Sequence, residues 1–270
     1  MIFPRLLSLP QRIRRRWWTH KIERFRARYL RQPVPLERCI RLHRHVTRVF
    51  GNAEPLLPPW WQLIRKGECL RDSELAEMLR GVELGEWPLT VDIIDWLVDF
   101  LYQEQPHVVL EFGSGVSTAC LCVVLHRLHG TDGFRLLSLE QDAKEVERTI
   151  DRLQGLNGRF SSRVVHVPLT PAVVDGRATF FYDIDKIDNE HFAWLGKAEF
   201  VLIDGPFSKG PCRYGTLSKV RARLVPGARF AMDDALREKE LLVGALWAQE
   251  GIVVNGVLTL GQGVMVGTVP

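Results

Sequence analysis

The sequence predicts an α/β protein: a mostly parallel sheet of seven strands, helices on both faces, and an antiparallel edge strand. Three observations predict it. From residue 107 onward, short apolar runs alternate with helix-like segments. The stretch Val108–Thr118 reads as a buried strand, a carboxylate at Glu111, a tight turn through Gly113 and Gly115, and the start of a helix. The chain closes on apolar runs interrupted by Gly256 and Gly261, which suits a terminal antiparallel pair.

Ahead of that region the pattern differs. Residues 1–89 read as a helical, basic N-terminal extension and cap, and residues 90–270 as the α/β domain. Within residues 1–32, Trp18, Ile22, Phe25 and Tyr29 recur at helical spacing with arginines between them. Three readings fit: a helix packing its aromatic stripe on the domain, a contact to a membrane surface or RNA, or an Arg-rich, acid-poor organelle-targeting segment. Charge sharpens the contrast. Residues 1–50 hold 14 Lys/Arg against Glu23 and Glu37, whereas the other 220 residues carry 30 acids against 22 bases. Any attraction to a polyanion or acidic lipid is therefore expected in the N-terminal segment. Pro33, Pro35, Pro55, Pro58 and Pro59 punctuate a short helix around Glu37–Phe50. Trp60, Trp61, Leu63 and Ile64 are expected to fold back onto the domain, and residues 73–80 to form a short helix capped by Ser73 or Asp72.

Thr90 can cap a helix whose apolar positions Val91, Ile94, Leu97, Val98 and Leu101 share one face. Strands are then expected at 107–111, 135–140, 163–167, 199–204 and 228–233, with helices at 117–128, 142–154 and 212–223. Segments 252–255, 258–260 and 263–269 read as strands joined through Gly256 and Gly261. Residues 170–198 read as a variable insertion. No apolar run is long enough to span a membrane. The five cysteines show no metal-type spacing, which predicts buried, reduced thiols and a cytoplasmic protein, with peripheral membrane association and organelle targeting left open.

The glycine corner carries the chemistry. A strand that ends in such a turn exposes backbone N–H groups at a helix N-terminus, where a small polar ligand can lie. Its spacing is Gly-x-Gly-x-x-Thr; a dinucleotide site has a third glycine where Thr118 stands, and a nucleoside-triphosphate loop ends in Lys-Ser/Thr. Ser114, Ser117 and Thr118 therefore read as cap and loop hydroxyls. Glu111 ends the first strand, either to accept from a cationic ligand or to fix the turn by bonding loop groups. Glu140 ends the next, in Leu136-Leu137-Ser138-Leu139-Glu140, where an acid can take both hydroxyls of a ribose; Gln141 and Asp142 stand beside it. Asp204 ends a third acid-terminated strand, in Leu202-Ile203-Asp204-Gly205-Pro206, so three acids are expected to converge on one crevice.

These elements, with Leu224-Val225-Pro226-Gly227 leading through an apolar run to Asp233-Asp234, resemble class I S-adenosylmethionine-dependent methyltransferases, which are Rossmann-like. The resemblance covers about residues 90–270. It implies S-adenosyl-L-methionine as cofactor, with Glu111, Gly113 and Gly115 bordering its methionine part and Glu140 holding its ribose; Ser114, Ser117, Thr118 and Gln141 join them as candidate cofactor-binding residues. It places the loop near Pro168 and Leu169 by the adenine, and Asp204 facing the reacting methyl and the acceptor.

Methyl transfer from a sulfonium is an in-line displacement, so the protein must align the acceptor and take its proton. Asp204 is the first candidate. Asp204, Asp233 and Asp234 also offer three hard oxygens that can hold Mg2+, as in some small-molecule O-methyltransferases of the resembled superfamily. The other reading keeps Asp233 at the pocket and makes Asp234 the cap of a segment Ala235–Leu246. Lys209, Arg213 and Tyr214 read either as acceptor contacts or as solvated loop groups, His191 as a base or a surface histidine, and Tyr182, Asp183 and Asp185 as further groups that can meet substrate. The expected function is methyl transfer to a small-molecule or glycan-like acceptor. The alternatives are an aminopropyl transferase or other nucleoside-cofactor transferase, and a non-catalytic module tethered by its basic N-terminus.

Overall fold

The computed structural model describes residues 20–21, 24, 32–50, 70–79, 89–156, 159–187 and 189–270. The aromatic positions Trp18, Ile22, Phe25 and Tyr29, and Trp60, Trp61, Leu63 and Ile64, lie outside the described residues.

Nine strands are described: β1 (Val108–Phe112), β2 (Arg135–Glu140), β3 (Ser162–His166), β4 (Leu169–Val174), β5 (Arg177–Tyr182), β6 (Ala198–Ile203), β7 (Leu224–Met232), β8 (Val253–Leu258) and β9 (Val264–Val269). Seven form one sheet in the order β3-β2-β1-β6-β7-β9-β8. The first five are parallel; β9 runs antiparallel to β7, and edge strand β8 pairs antiparallel with β9. The chain winds from β1 outward to β3 and returns to β6 on β1's other side. That reversal opens a crevice at the carboxyl ends of β1 and β6, the place where open α/β sheets bind ligands.

The strands are apolar runs because both sheet faces are covered. Alternate side chains serve separate cores. Leu110, Phe112, Val201, Ile203, Phe230 and Met232 belong to one cluster, which Trp247 completes. Val109, Leu136, Phe200 and Leu202 belong to the other, beneath the helices Val91–Glu104 and Val116–His129. The first of these helices buries Ile93, Ile94, Leu97, Val98 and Leu101. The helix Leu36–Phe50 sends Leu36 and Cys39 into the first cluster and keeps Arg38, Arg41, Arg44 and Arg48 exposed. Just before it, Val34 exchanges two backbone hydrogen bonds of 2.8 Å with Val257. Cys39, Cys120, Cys122 and Cys212 are buried thiols. Among the described residues, no helix is long and apolar enough to cross a membrane.

Four expectations need correction. The insertion at 170–198 holds a β4–β5 hairpin, turned by Asp175 and Gly176 at φ of +50° and +70°. The expected helix 212–223 breaks into a 3-10 turn (Cys212–Tyr214), one α-turn (Gly215–Ser218) and a second 3-10 turn (Arg221–Arg223). Within it the Thr216 hydroxyl donates to the Arg213 carbonyl at 2.7 Å, and the Phe181 ring packs on Gly215. β8 runs through Gly256 with a register shift between Val254 and Gly256, where only glycine fits: a β-carbon would stand 2.4 Å from the Val34 carbonyl oxygen. The last helix is Glu238–Gln249, not 235–246, because Asp234 sits in the left-handed region at φ +60° and closes a turn with Arg237 first.

Candidate active site

The carboxyl ends of four strands, β1, β2, β6 and β7, meet at a cavity of about 400 Å3. Its floor is the glycine corner, Gly113 to Ser117. Glu140, Gln141 and Asp142 form one wall; Tyr182, Asp204, Gly205, Phe207 and Arg213 form another; Asp233, Asp234 and Arg237 close the far end.

Glu111 and Thr118 are not in that lining. Strand alternation turns Glu111 to the Val109 face, directly under the helix Val116–His129. It is fully buried and accepts hydrogen bonds from the Ser138 hydroxyl and, at 2.7 Å, from the Thr118 hydroxyl. Thr118 in turn accepts from the Gly115 N–H at 3.0 Å. The threonine that replaces the third glycine thus links helix start to strand end, and of the two readings of Glu111 the geometry matches the one that fixes the turn. Burial raises the Glu111 carboxyl to about 7, against the hydroxyls of Ser117, Ser138 and Thr118, which lower it.

Glu140 does face the cavity. Its carboxylate accepts from the Ser114 N–H at 2.7 Å and the Asp142 N–H at 2.9 Å, so it braces the glycine turn while standing at the wall. Burial pushes its pKa up, and those N–H groups oppose the rise. Gln141 spans the mouth: its amide accepts from the Phe207 N–H at 2.8 Å and donates to the Phe207 carbonyl at 3.2 Å. Asp142 caps the next helix by accepting from the Lys144 N–H at 2.9 Å.

The acids at the ends of β6 and β7 are held by Arg213, for which the sequence offers both an acceptor contact and a solvated loop group. Arg213 is 3% exposed and buried in the cluster. Its Nη1 donates to the Asp233 carbonyl at 2.7 Å, and its Nη2 to the Asp204 carbonyl at 2.9 Å. Nη2 also lies 3.1 Å from Asp234 Oδ2 and 3.5 Å from Asp204 Oδ1. Arg237 reaches Asp234 Oδ2 at 2.8 Å. Asp234 therefore serves these arginines and caps no helix. Burial raises the Asp204 carboxyl to about 7, with Arg213 opposing and Asp234 adding to the rise. Asp233 is raised well above its ordinary range, by burial first and then by Asp234. For Arg213, burial acts to lower the pKa, and Asp234, Glu240 and Asp204 outweigh it.

Other positions divide. Tyr182, from the unforeseen hairpin, lines the cavity; its buried hydroxyl meets no hydrogen-bond partner among the described residues. Lys209 is exposed, Asp183 pairs with Lys186 at 2.8 Å, His191 lies near Arg163, and none of these lines the cavity. Neither do Asp185 and Tyr214. The signal for the hairpin was present: Asp175-Gly176 between two strand-forming runs is a hairpin turn pair.

A nucleoside with a charged tail fits this chain's residues. The corner has no side chain at Gly113, which holds φ +88° against the Asp204–Gly205 backbone, and the Glu140 carboxylate faces the same hollow. For a divalent cation the donors suit in type: oxygens of Asp204, Asp233 and Asp234 lie within 4.8 Å of one another. Their surroundings do not suit one, because a guanidinium nitrogen already bridges two of the three.

The strand order, with its crevice at the carboxyl ends of β1 and β6, is a Rossmann-like fold that solved methyltransferases share. A methyltransferase from Geobacter sulfurreducens shares it, with a TM-score of 0.50 at 15% identity over 77% of this chain and 94% of that one. An SAH-bound methyltransferase from Podospora anserina shares it with a TM-score of 0.51 at 12% identity, over 76% of this chain and 91% of the other. No protein-family model and no curated protein matches the chain.

Proposed function

We propose that this chain is an S-adenosylmethionine-dependent methyltransferase acting on a small-molecule or glycan-like acceptor. One observation carries the reading: the glycine corner, Glu140 and Asp204 open onto one cavity at the carboxyl edge of the sheet. When bound, the cofactor supplies an electrophilic methyl group on a sulfonium. The chain's own groups do the rest. Glu140 accepts from ribose hydroxyls, and the N–H groups at the start of the helix Val116–His129 take the anionic end of the ligand. The Gln141–Phe207 clasp narrows the mouth and limits water. Asp204 orients the acceptor atom and receives its proton as the new bond forms.

Calorimetry with S-adenosylmethionine and S-adenosylhomocysteine, followed by a mass-shift screen of pooled acceptors, tests the reading. Binding of both and the gain of one methyl mass are expected; no binding of either sinks it. A preference for the decarboxylated cofactor would favour aminopropyl transfer. A metal-assisted O-methyl transfer has the spacing of the three aspartates in its favour and the Arg213 guanidinium among them against it. Activity lost to EDTA and restored by Mg2+ would support it.

A further inference from the structure

We propose that the Arg213 guanidinium is the resident cation of the Asp204–Asp233–Asp234 cluster, so that this chain needs no divalent metal there. The consequence for catalysis rests on the methyl-transfer reading above; the occupancy itself does not.

Geometry supports it first. The three aspartates end neighbouring strands, Asp204 after β6 and the pair after β7, and a cation between them ties the two loops together. Arg213 already does so twice over. Its two terminal nitrogens bond the Asp204 and Asp233 carbonyls, and the same Nη2 sits against carboxylate oxygens of Asp204 and Asp234. Magnesium holds its ligands at about 2.0–2.1 Å in near-octahedral order. To use Asp204 Oδ1 and Asp234 Oδ2, it would have to displace that nitrogen or sit beside a like charge in a buried site.

Displacement is resisted by how Arg213 is mounted. It lies in the 3-10 turn Cys212–Tyr214, its carbonyl is held by the Thr216 hydroxyl, and Gly215 is packed on Phe181. Neighbouring charges agree. Glu240, 1% exposed, faces the Arg213 Nε at 4.0 Å and Lys239 at 3.6 Å, while Arg237 meets Asp234. Four carboxylates thus face three side-chain cations. A planar fork with several donors suits such a role, since it grips carbonyls and carboxylates together. Asp204 is then aimed into the cavity by a side chain, and Arg213 is a positioning residue. An acceptor here needs one polar atom at Asp204, with no demand for a chelating pair of oxygens.

The test reads metal occupancy apart from activity. Full-length protein is titrated with Mn2+ alone and the free-ion EPR signal followed, for wild type, Asp233→Asn, Arg213→Gln and Arg213→Gln/Asp233→Asn. Melting temperatures are taken with Mg2+ and with EDTA. Wild type is expected to take up no Mn2+ at the cluster and to melt identically in both solutions. Arg213→Gln is expected to gain one Mn2+ site, and a melting temperature that Mg2+ raises; Asp233→Asn should abolish both. An Mn2+ site in wild type that Asp233→Asn removes overturns the inference. So does a folded Arg213→Gln protein that still takes no Mn2+, since the guanidinium would then not be what keeps the ion out. Should that variant fail to fold, the wild-type titration decides alone. S-adenosylhomocysteine binding is measured alongside: its absence counts against the methyl-transfer reading and leaves the metal result standing.

Discussion

Gly113 and Gly205 meet backbone to backbone: a β-carbon on Gly113 would stand 3.0 Å from the Gly205 nitrogen. The turn after β1 and the turn after β6 therefore approach to a distance only glycine allows, and that approach forms the narrow end of the cavity. Gly113 also holds φ +88°, whereas Gly130, at φ +73°, has nothing within 4 Å of its would-be β-carbon. Gly130→Ala should cost only the backbone term, about 1 kcal/mol. Gly113→Ala should cost about 1–2 kcal/mol more, and only it should weaken S-adenosylhomocysteine binding. Paired denaturant titrations and calorimetry measure the difference; equal losses would mean that the crowding has no energetic weight.

Glu140 has two tasks, bracing the Ser114 and Asp142 N–H groups and facing the cavity. Glu140→Ala should weaken S-adenosylhomocysteine binding by about 1–3 kcal/mol, the worth of charged hydrogen bonds. Glu140→Gln keeps an acceptor for the turn and should retain stability while still losing part of the affinity. Unchanged affinity in both variants would remove Glu140 from the cofactor site.

How much of this was legible in the sequence depended on how local the signal was. The strands that end in Glu140 and Asp204 are apolar runs, and their acids line the cavity as expected. Whether Glu111 faced a ligand or its own turn was left open, because orientation depends on which face of β1 each residue takes. Glu111 shares the Val109 side and lies under the helix. Arg213 stays open between acceptor contact and solvated loop group for a different reason. A lone arginine in a polar loop reads either way; only the approach of β6 to β7 shows that it closes an acidic cluster. The hairpin bearing Tyr182 is hard to see in the sequence because Thr170 and Pro171 interrupt the apolar pattern of 169–174, although Asp175-Gly176 marks the turn.

The Glu111 carboxyl gives a pH signature. Burial raises it from the ordinary 4.5 to about 7, so between those values the folded chain holds a proton that the unfolded chain has released. Stability from this group is then full below pH 4.5 and falls as pH rises toward 7. Relative to Glu111→Gln, which carries no such proton, wild type should lose about 1–3 kcal/mol across that window and stay level above it. Urea unfolding of both proteins at several pH values checks this. A difference that grows in wild type's favour with rising pH would show that Glu111 folds as a carboxylate.

Tyr182 offers the cleanest separation of ligand binding from folding. Its hydroxyl is buried against Gly205 and meets no partner among the described residues, yet the residue lines the cavity. A buried hydroxyl without a partner costs free energy, so Tyr182→Phe should leave stability unchanged or raise it by up to about 1 kcal/mol. If the hydroxyl is satisfied by the bound nucleoside or acceptor, the same variant should bind or turn over that ligand less well, and whether affinity for S-adenosylhomocysteine or the acceptor KM moves identifies which. Gly205 supplies an internal check. A β-carbon there would stand 2.5 Å from the Tyr182 hydroxyl oxygen and 2.9 Å from the Gly113 nitrogen. Gly205→Ala should therefore destabilise wild type, and Tyr182→Phe should relieve only the part due to the hydroxyl, a coupling that a double-mutant cycle reads directly. Strict additivity would place the ring elsewhere and remove Tyr182 from the wall.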